Sequence, residues 1–115
     1  MMEKVEKIDA QTVSCEPLSE REIEIELAKN LPCWKTVRIR GEKLALARTH
    51  TCSDYLDSLE LLYSIGQLAE NNNHHPDLLL EYKKLTIQYW THTAGGVTNL
   101  DIAEARKVES IIGQL

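Results

Sequence analysis

The sequence predicts an α+β domain in the order α-β-β-α-β-β-α, with helices against an antiparallel sheet. Two observations carry this. The apolar spacing switches between a period near 3.6 and a period of two along the chain. Helix caps and turn residues fall where the period changes. The chain has 115 residues, the length of one domain.

Residues 1–16 are polar and aperiodic and read as a loose N-terminal arm, leaving 17–115 as the domain. Pro17-Leu18-Ser19-Glu20-Arg21-Glu22 opens a helix, with Ser19 as cap and Glu22 completing a capping box. Ile23, Leu27 and Leu31 form its apolar stripe, and Pro32 ends it. From Trp34 the period is two. Val37 and Ile39 alternate with Arg38 and Arg40, Gly41-Glu42 turns the chain, and Leu44 and Leu46 alternate with Ala45 and Ala47. This is a hairpin with one wet face.

The second helix begins near Ser53-Asp54, with Leu56, Leu59, Leu62, Tyr63 and Ala69 as its apolar face, and Asn71–Asn73 end it. His74-His75-Pro76 is a turn, with His75 pushed toward extended backbone by the proline. Residues 77–82 fit either a strand or a helical turn. Leu85, Ile87 and Tyr89 alternate with Thr86, Gln88, Trp90 and His92, which predicts a strand reaching His92, with Gln88, Trp90 and His92 on one face. Ala94-Gly95-Gly96 is a turn. Thr98 and Asp101 make a second capping pattern for a last helix, which carries Ala105, Val108, Ile112 and Leu115 on one side.

The formal net charge is −5, and no cluster of Lys and Arg is long enough to neutralise several phosphates, so a nucleic-acid surface is not expected. No apolar run spans a membrane, and the charged N-terminus lacks the apolar region of a signal peptide. Cys15, Cys33 and Cys52 are widely spaced thiols without a Cys-x-x-Cys pair, which suits a reducing cytoplasm.

Three of the four histidines lie in one short stretch: His74, His75 and His92, with Glu70 before them and Asp101 after. Imidazoles titrate near neutral pH, so the cluster points to proton handling or metal binding. Each residue also has a plainer reading: His75 as a turn residue, His92 as a strand end, Glu70 as a solvated helix charge, Asp101 as a cap and Trp90 as packing. Glu70, four residues before His74, would share its face if the helix continued, and would orient that ring. A zinc site built from the three histidines and Glu70 is disfavoured, because adjacent histidines in an extended turn point apart.

The combined pattern Glu70, His74-His75-Pro76, Tyr82, Thr91-His92 and Asp101, with Gly96-Val97-Thr98, Leu18-Ser19-Glu20 and Trp34, resembles the pterin-4a-carbinolamine dehydratases over residues 17–115. The resemblance implies a four-stranded antiparallel sheet backed by three helices, in dimers or tetramers. It implies dehydration of 4a-hydroxytetrahydrobiopterin, or a related 4a-hydroxytetrahydropterin, to the quinonoid dihydropterin, which recycles the pterin of aromatic amino-acid hydroxylases. The pterin is the substrate, and no metal or organic cofactor is implied.

Loss of hydroxide from C4a needs a proton on the leaving oxygen, and forming the C=N bond needs one removed from N5. Imidazoles suit both steps. His74 and His92 are the expected proton carriers, and His75 shares the acid role or binds the pterin. Glu70 and Asp101 orient the imidazoles, while Pro76, Trp90 and Thr91 line the substrate. Trp90 and Thr93 depart from the family pattern beside His92, as do Leu44, Leu46 and Tyr55 where the family carries Phe. These departures keep a second function open: a non-catalytic scaffold that binds protein, as a transcription-factor dimerisation cofactor or a Rubisco assembly factor.

Overall fold

The computed structural model describes residues 16–115, so the expected arm at 1–16 lies almost wholly outside the described residues, as does Cys15. The elements are α1 (Glu20–Asn30), β1 (Lys35–Ile39), β2 (Lys43–Thr51), α2 (Tyr55–Asn72), β3 (Asp77–Glu81), β4 (Lys84–Tyr89) and α3 (Asn99–Gly113). This is the expected order. The ambiguous 77–82 segment is a strand.

All strand pairs are antiparallel, and the sheet order is β1-β2-β4-β3. The two hairpins therefore join through β2 and β4, with Leu46 opposite Tyr89. The helices lie on one face. Ile23, Leu27 and Leu31, then Leu61, Ile65 and Leu68, then Ile102, Ala105 and Val108, pack on Leu46, Leu85, Ile87 and Tyr89. Burying one such aliphatic side chain contributes about 1.5–3 kcal/mol, so this single cluster dominates the folding free energy.

Caps delimit the helices as the sequence implies. Ser19 and Glu22 form the α1 capping box, Asp54 caps α2, and Thr98 with Asp101 forms the α3 capping box.

The packing corrects four expectations. The buried face of α2 is Ser58, Leu61, Ser64, Ile65, Leu68 and Ala69, whereas Leu56 and Tyr63 are exposed. An 18-residue helix with apolar residues almost all round does not declare by sequence which stripe meets the sheet. In β2, Ala45 and Ala47 are buried along with Leu46, so this strand lacks the expected wet face there. An internal strand shields small side chains between its larger neighbours. Leu115 is exposed beyond the end of α3. Finally, β4 stops at Tyr89. After it, Thr91 and Gly96 form an isolated bridge around a turn, so His92 belongs to that turn and not to a strand. Gly95 there has φ +73°, a backbone state that side-chain-bearing residues rarely adopt.

Candidate active site

The last turn of α2 delivers the first histidine. Asn73 is left-handed at φ 49°, ψ 42°, and its N–H donates to Glu70 O. The His74 N–H donates to Ala69 O at 3.1 Å. This six-to-one closure is the Schellman arrangement, and it turns the chain sharply at His74. Helical geometry is lost before His74, so Glu70 does not reach it.

His74 meets α3 instead. Its Nε2 lies 2.6 Å from Asp101 Oδ1, across 27 residues of sequence. Asp101 is fully buried, and its other oxygen is held from two sides. The Thr98 N–H donates to Oδ2 at 2.9 Å and Thr91 Oγ1 donates at 2.7 Å. With its proton spent on Asp101, Thr91 Oγ1 accepts from the Thr98 hydroxyl at 2.9 Å. Thr98 Oγ1 in turn accepts from the Leu100 N–H. A carboxylate held this way accepts from Nε2–H and leaves Nδ1 as the working nitrogen of the ring. The ring also lies nearly parallel to Tyr89, with centroids 5.9 Å apart.

Burial alone would lower the His74 pKa. The Asp101 hydrogen bond, with the charges of Asp101 and Glu104, outweighs it and holds the pKa above the ordinary value.

His75 points elsewhere. Its Nε2 lies 2.5 Å from Glu70 Oε1, so Glu70 partners His75 and not, as expected, His74. This pair is exposed, with side chains 53% and 78% accessible, so solvent screens it. His92 is exposed in its turn, one residue beyond Thr91, and its ring stacks on Trp90 at 3.9 Å between centroids. Trp90 is buried, with Lys43 Nζ 5.4 Å from its ring centre. Pro76 immediately precedes β3. Tyr82 follows the far end of that five-residue strand, roughly 17–20 Å away at about 3.3 Å per residue, and stacks on Tyr55. Tyr82 is therefore not part of this site.

Two further groups escaped the sequence reading. Glu104, one turn beyond Asp101, is fully buried, and neither carboxyl oxygen has a hydrogen-bond partner among the described residues. The Tyr89 hydroxyl also lacks a close partner, and it faces the Glu104 carboxyl in a loose contact through which each perturbs the other's ionisation. Burial, above all, pushes Glu104 up to about 7. Burial and the Glu104 charge push the Tyr89 phenol up as well, keeping it protonated. The i, i+3 spacing of Asp101 and Glu104 was the available signal. Among the described residues, no group of three His, Cys, Asp or Glu side chains is placed to hold a metal ion. No helix among them is long and apolar enough to cross a membrane.

The chain is a small α+β protein, three helices on a four-stranded antiparallel sheet, with a buried histidine–aspartate couple joining the end of α2 to the start of α3. A family model described as pterin 4 alpha carbinolamine dehydratase matches residues 16–111. A Chlorobaculum tepidum protein, provisionally named a pterin-4-alpha-carbinolamine dehydratase, is 36% identical over 104 residues, covering 87% of this chain and 92% of its own length. A Sulfurisphaera tokodaii protein of the same provisional name is 33% identical over 95 residues, covering 83% and 96%. A crystal structure of a transcriptional coactivator/pterin dehydratase from Brucella melitensis matches with a TM-score of 0.73 at 28% identity, covering 84% of this chain and 98% of that one. The chain belongs to the pterin 4 alpha carbinolamine dehydratase family and is an enzyme of that class.

Proposed function

We propose that this protein removes water from 4a-hydroxytetrahydrobiopterin, or a related 4a-hydroxytetrahydropterin, giving the quinonoid dihydropterin and so recycling the cofactor of aromatic amino-acid hydroxylases. The observation that carries the reading is the buried His74–Asp101 couple, 2.6 Å long and braced by Thr91 and Thr98. Its carboxylate favours the imidazolium, so His74 is the acid, delivering the Nδ1 proton to the C4a oxygen as the C4a–O bond breaks. The N5–H proton leaves to a base while its electron pair forms the C=N bond. His92, with no carboxylate partner among the described hydrogen bonds and ion pairs, is the candidate base. His75, oriented by Glu70, binds the pterin ring, with Pro76, Thr91 and Trp90 as its further proposed contacts. The reaction needs no metal or organic cofactor, and the setting is cytoplasmic.

We further propose self-association into dimers or tetramers. The edge strand β3 presents Leu79 on the sheet face away from the helices, while α2 presents Tyr55, Leu56 and Tyr63, with Tyr82 stacked on Tyr55, all exposed. The exposed apolar side chains of α2, with Tyr82, favour the second reading, a protein-binding role on this scaffold, with or without catalysis.

The test is dehydration of freshly generated 4a-hydroxytetrahydropterin, followed by ultraviolet absorbance. Acceleration that disappears in His74→Ala supports the enzyme reading. No acceleration by folded protein leaves the binding reading in its place.

A further inference from the structure

Glu104 is not explained by packing. A fully buried carboxyl whose one polar contact is a loosely placed Tyr89 hydroxyl is costly, and an aliphatic side chain would fill the same space without burying a carboxyl. What distinguishes the position is its company. Asp101 precedes it by one turn on the same buried face of α3. From β4 comes Tyr89, whose ring lies nearly parallel to that of His74 and whose hydroxyl interacts with Glu104. From the turn after α2 come His74 and, farther out, His75. α1, α2 and β2 contribute apolar side chains to this core, and α2 also buries Ser58, Ser64 and the Gln67 side-chain oxygen.

We propose that Glu104 sets the charge of the His74 imidazole and is a positioning residue for the proton transfer, acting through the buried interior without touching substrate. His74 and Glu104 form a coupled pair, the charge on each favouring or opposing the proton on the other. With Glu104 ionised, His74 faces two negative charges and keeps its proton. With Glu104 neutral, His74 is held by Asp101 alone and releases its proton more readily. The interior thereby keeps a steady charge while His74 cycles between its two forms. Burial supports this reading, since it places the Glu104 titration in the same range as that of an imidazole.

The catalytic part rests on the dehydratase reading, whereas the charge coupling does not. The experiment follows the His74 imidazole nitrogens by NMR through a pH titration in wild type, Glu104→Gln and Glu104→Leu. The leucine variant fills the site without a buried polar group, so a fold is retained even if the amide is poorly accommodated. Both variants are expected to lower the His74 midpoint by at least about half a pH unit, the effect of removing one nearby charge. The pH dependence of kcat should lose one ionisation near neutrality while KM changes by less than about threefold, as for an interaction felt in the transition state. An unmoved His74 midpoint in either folded variant overturns the proposal, whatever the activity. If wild type fails to dehydrate the pterin, the dehydratase reading falls, and the midpoint still decides the role of Glu104.

Discussion

Asp101 closes the α3 capping box through Oδ2 and holds His74 through Oδ1, so one buried carboxylate starts a helix and orients an imidazole. The reading of Asp101 as a helix cap holds, and the same side chain also partners His74.

Asp101→Asn should therefore fail in two ways. The amide keeps the shape, but its NH2 cannot accept what one of the two oxygens accepts, so buried donors lose a partner. A cost of roughly 1–3 kcal/mol is expected in urea unfolding. His74 also loses its counter-charge, and kcat should fall by roughly 100-fold, the scale of one general acid–base contribution. Full activity in a destabilised variant would separate the cap from the catalysis.

The two histidine pairs should differ in sensitivity. His74→Ala and His92→Ala should each lower kcat by about 100-fold or more. Glu70→Gln should lower it by less than about tenfold, and the difference from wild type should shrink in high salt, because the Glu70–His75 pair is exposed and worth at most about 1 kcal/mol. Steady-state kinetics at low and high ionic strength read this directly.

Stability should fall as pH rises through neutrality. The folded His74 pKa is raised, so its contribution is complete below 6.5, the unfolded value, and is lost as pH passes the folded one. Glu104 is also raised, from 4.5 to about 7, so its protonated form is favoured by folding, and stability is lost as pH rises across that interval. Denaturant midpoints at pH 5 and pH 8 should differ in this direction, and Glu104→Leu should flatten the difference.

Glu109 is expected to matter for stability alone. Its Oε1 accepts from Trp34 Nε1 at 2.7 Å and from Arg48 Nε at 2.6 Å, tying α3 to β2 and to the segment before β1. Glu109→Ala leaves a largely buried guanidinium without its carboxylate, holding only Thr49 O, and should cost roughly 1.5–3 kcal/mol. Turnover per folded molecule should stay unchanged.

Most of the fold was legible because its signals are local. Ser19 with Glu22, Asp54, and Thr98 with Asp101 each satisfy backbone donors within one turn, so their spacing alone marks a helix start. The Leu85, Ile87 and Tyr89 alternation likewise reports a buried strand face. The end of β4 was not legible: Trp90 and His92 continue the alternation, while the stop depends on Thr91 pairing with Gly96 and with Asp101.

The histidines, the acids and the helix ends around them were determined by sequence alone. Which acid serves which histidine was decided only in three dimensions. The left-handed Asn73 swings His74 away from Glu70 and toward α3, and the next residue, His75, takes Glu70. The burial of Glu104 is of the same kind. By spacing it is one more charge on an amphipathic helix. Only the docking of α3 on β4 removes it from water beside Tyr89 and His74, and an ionisable group becomes tunable when it loses its solvent.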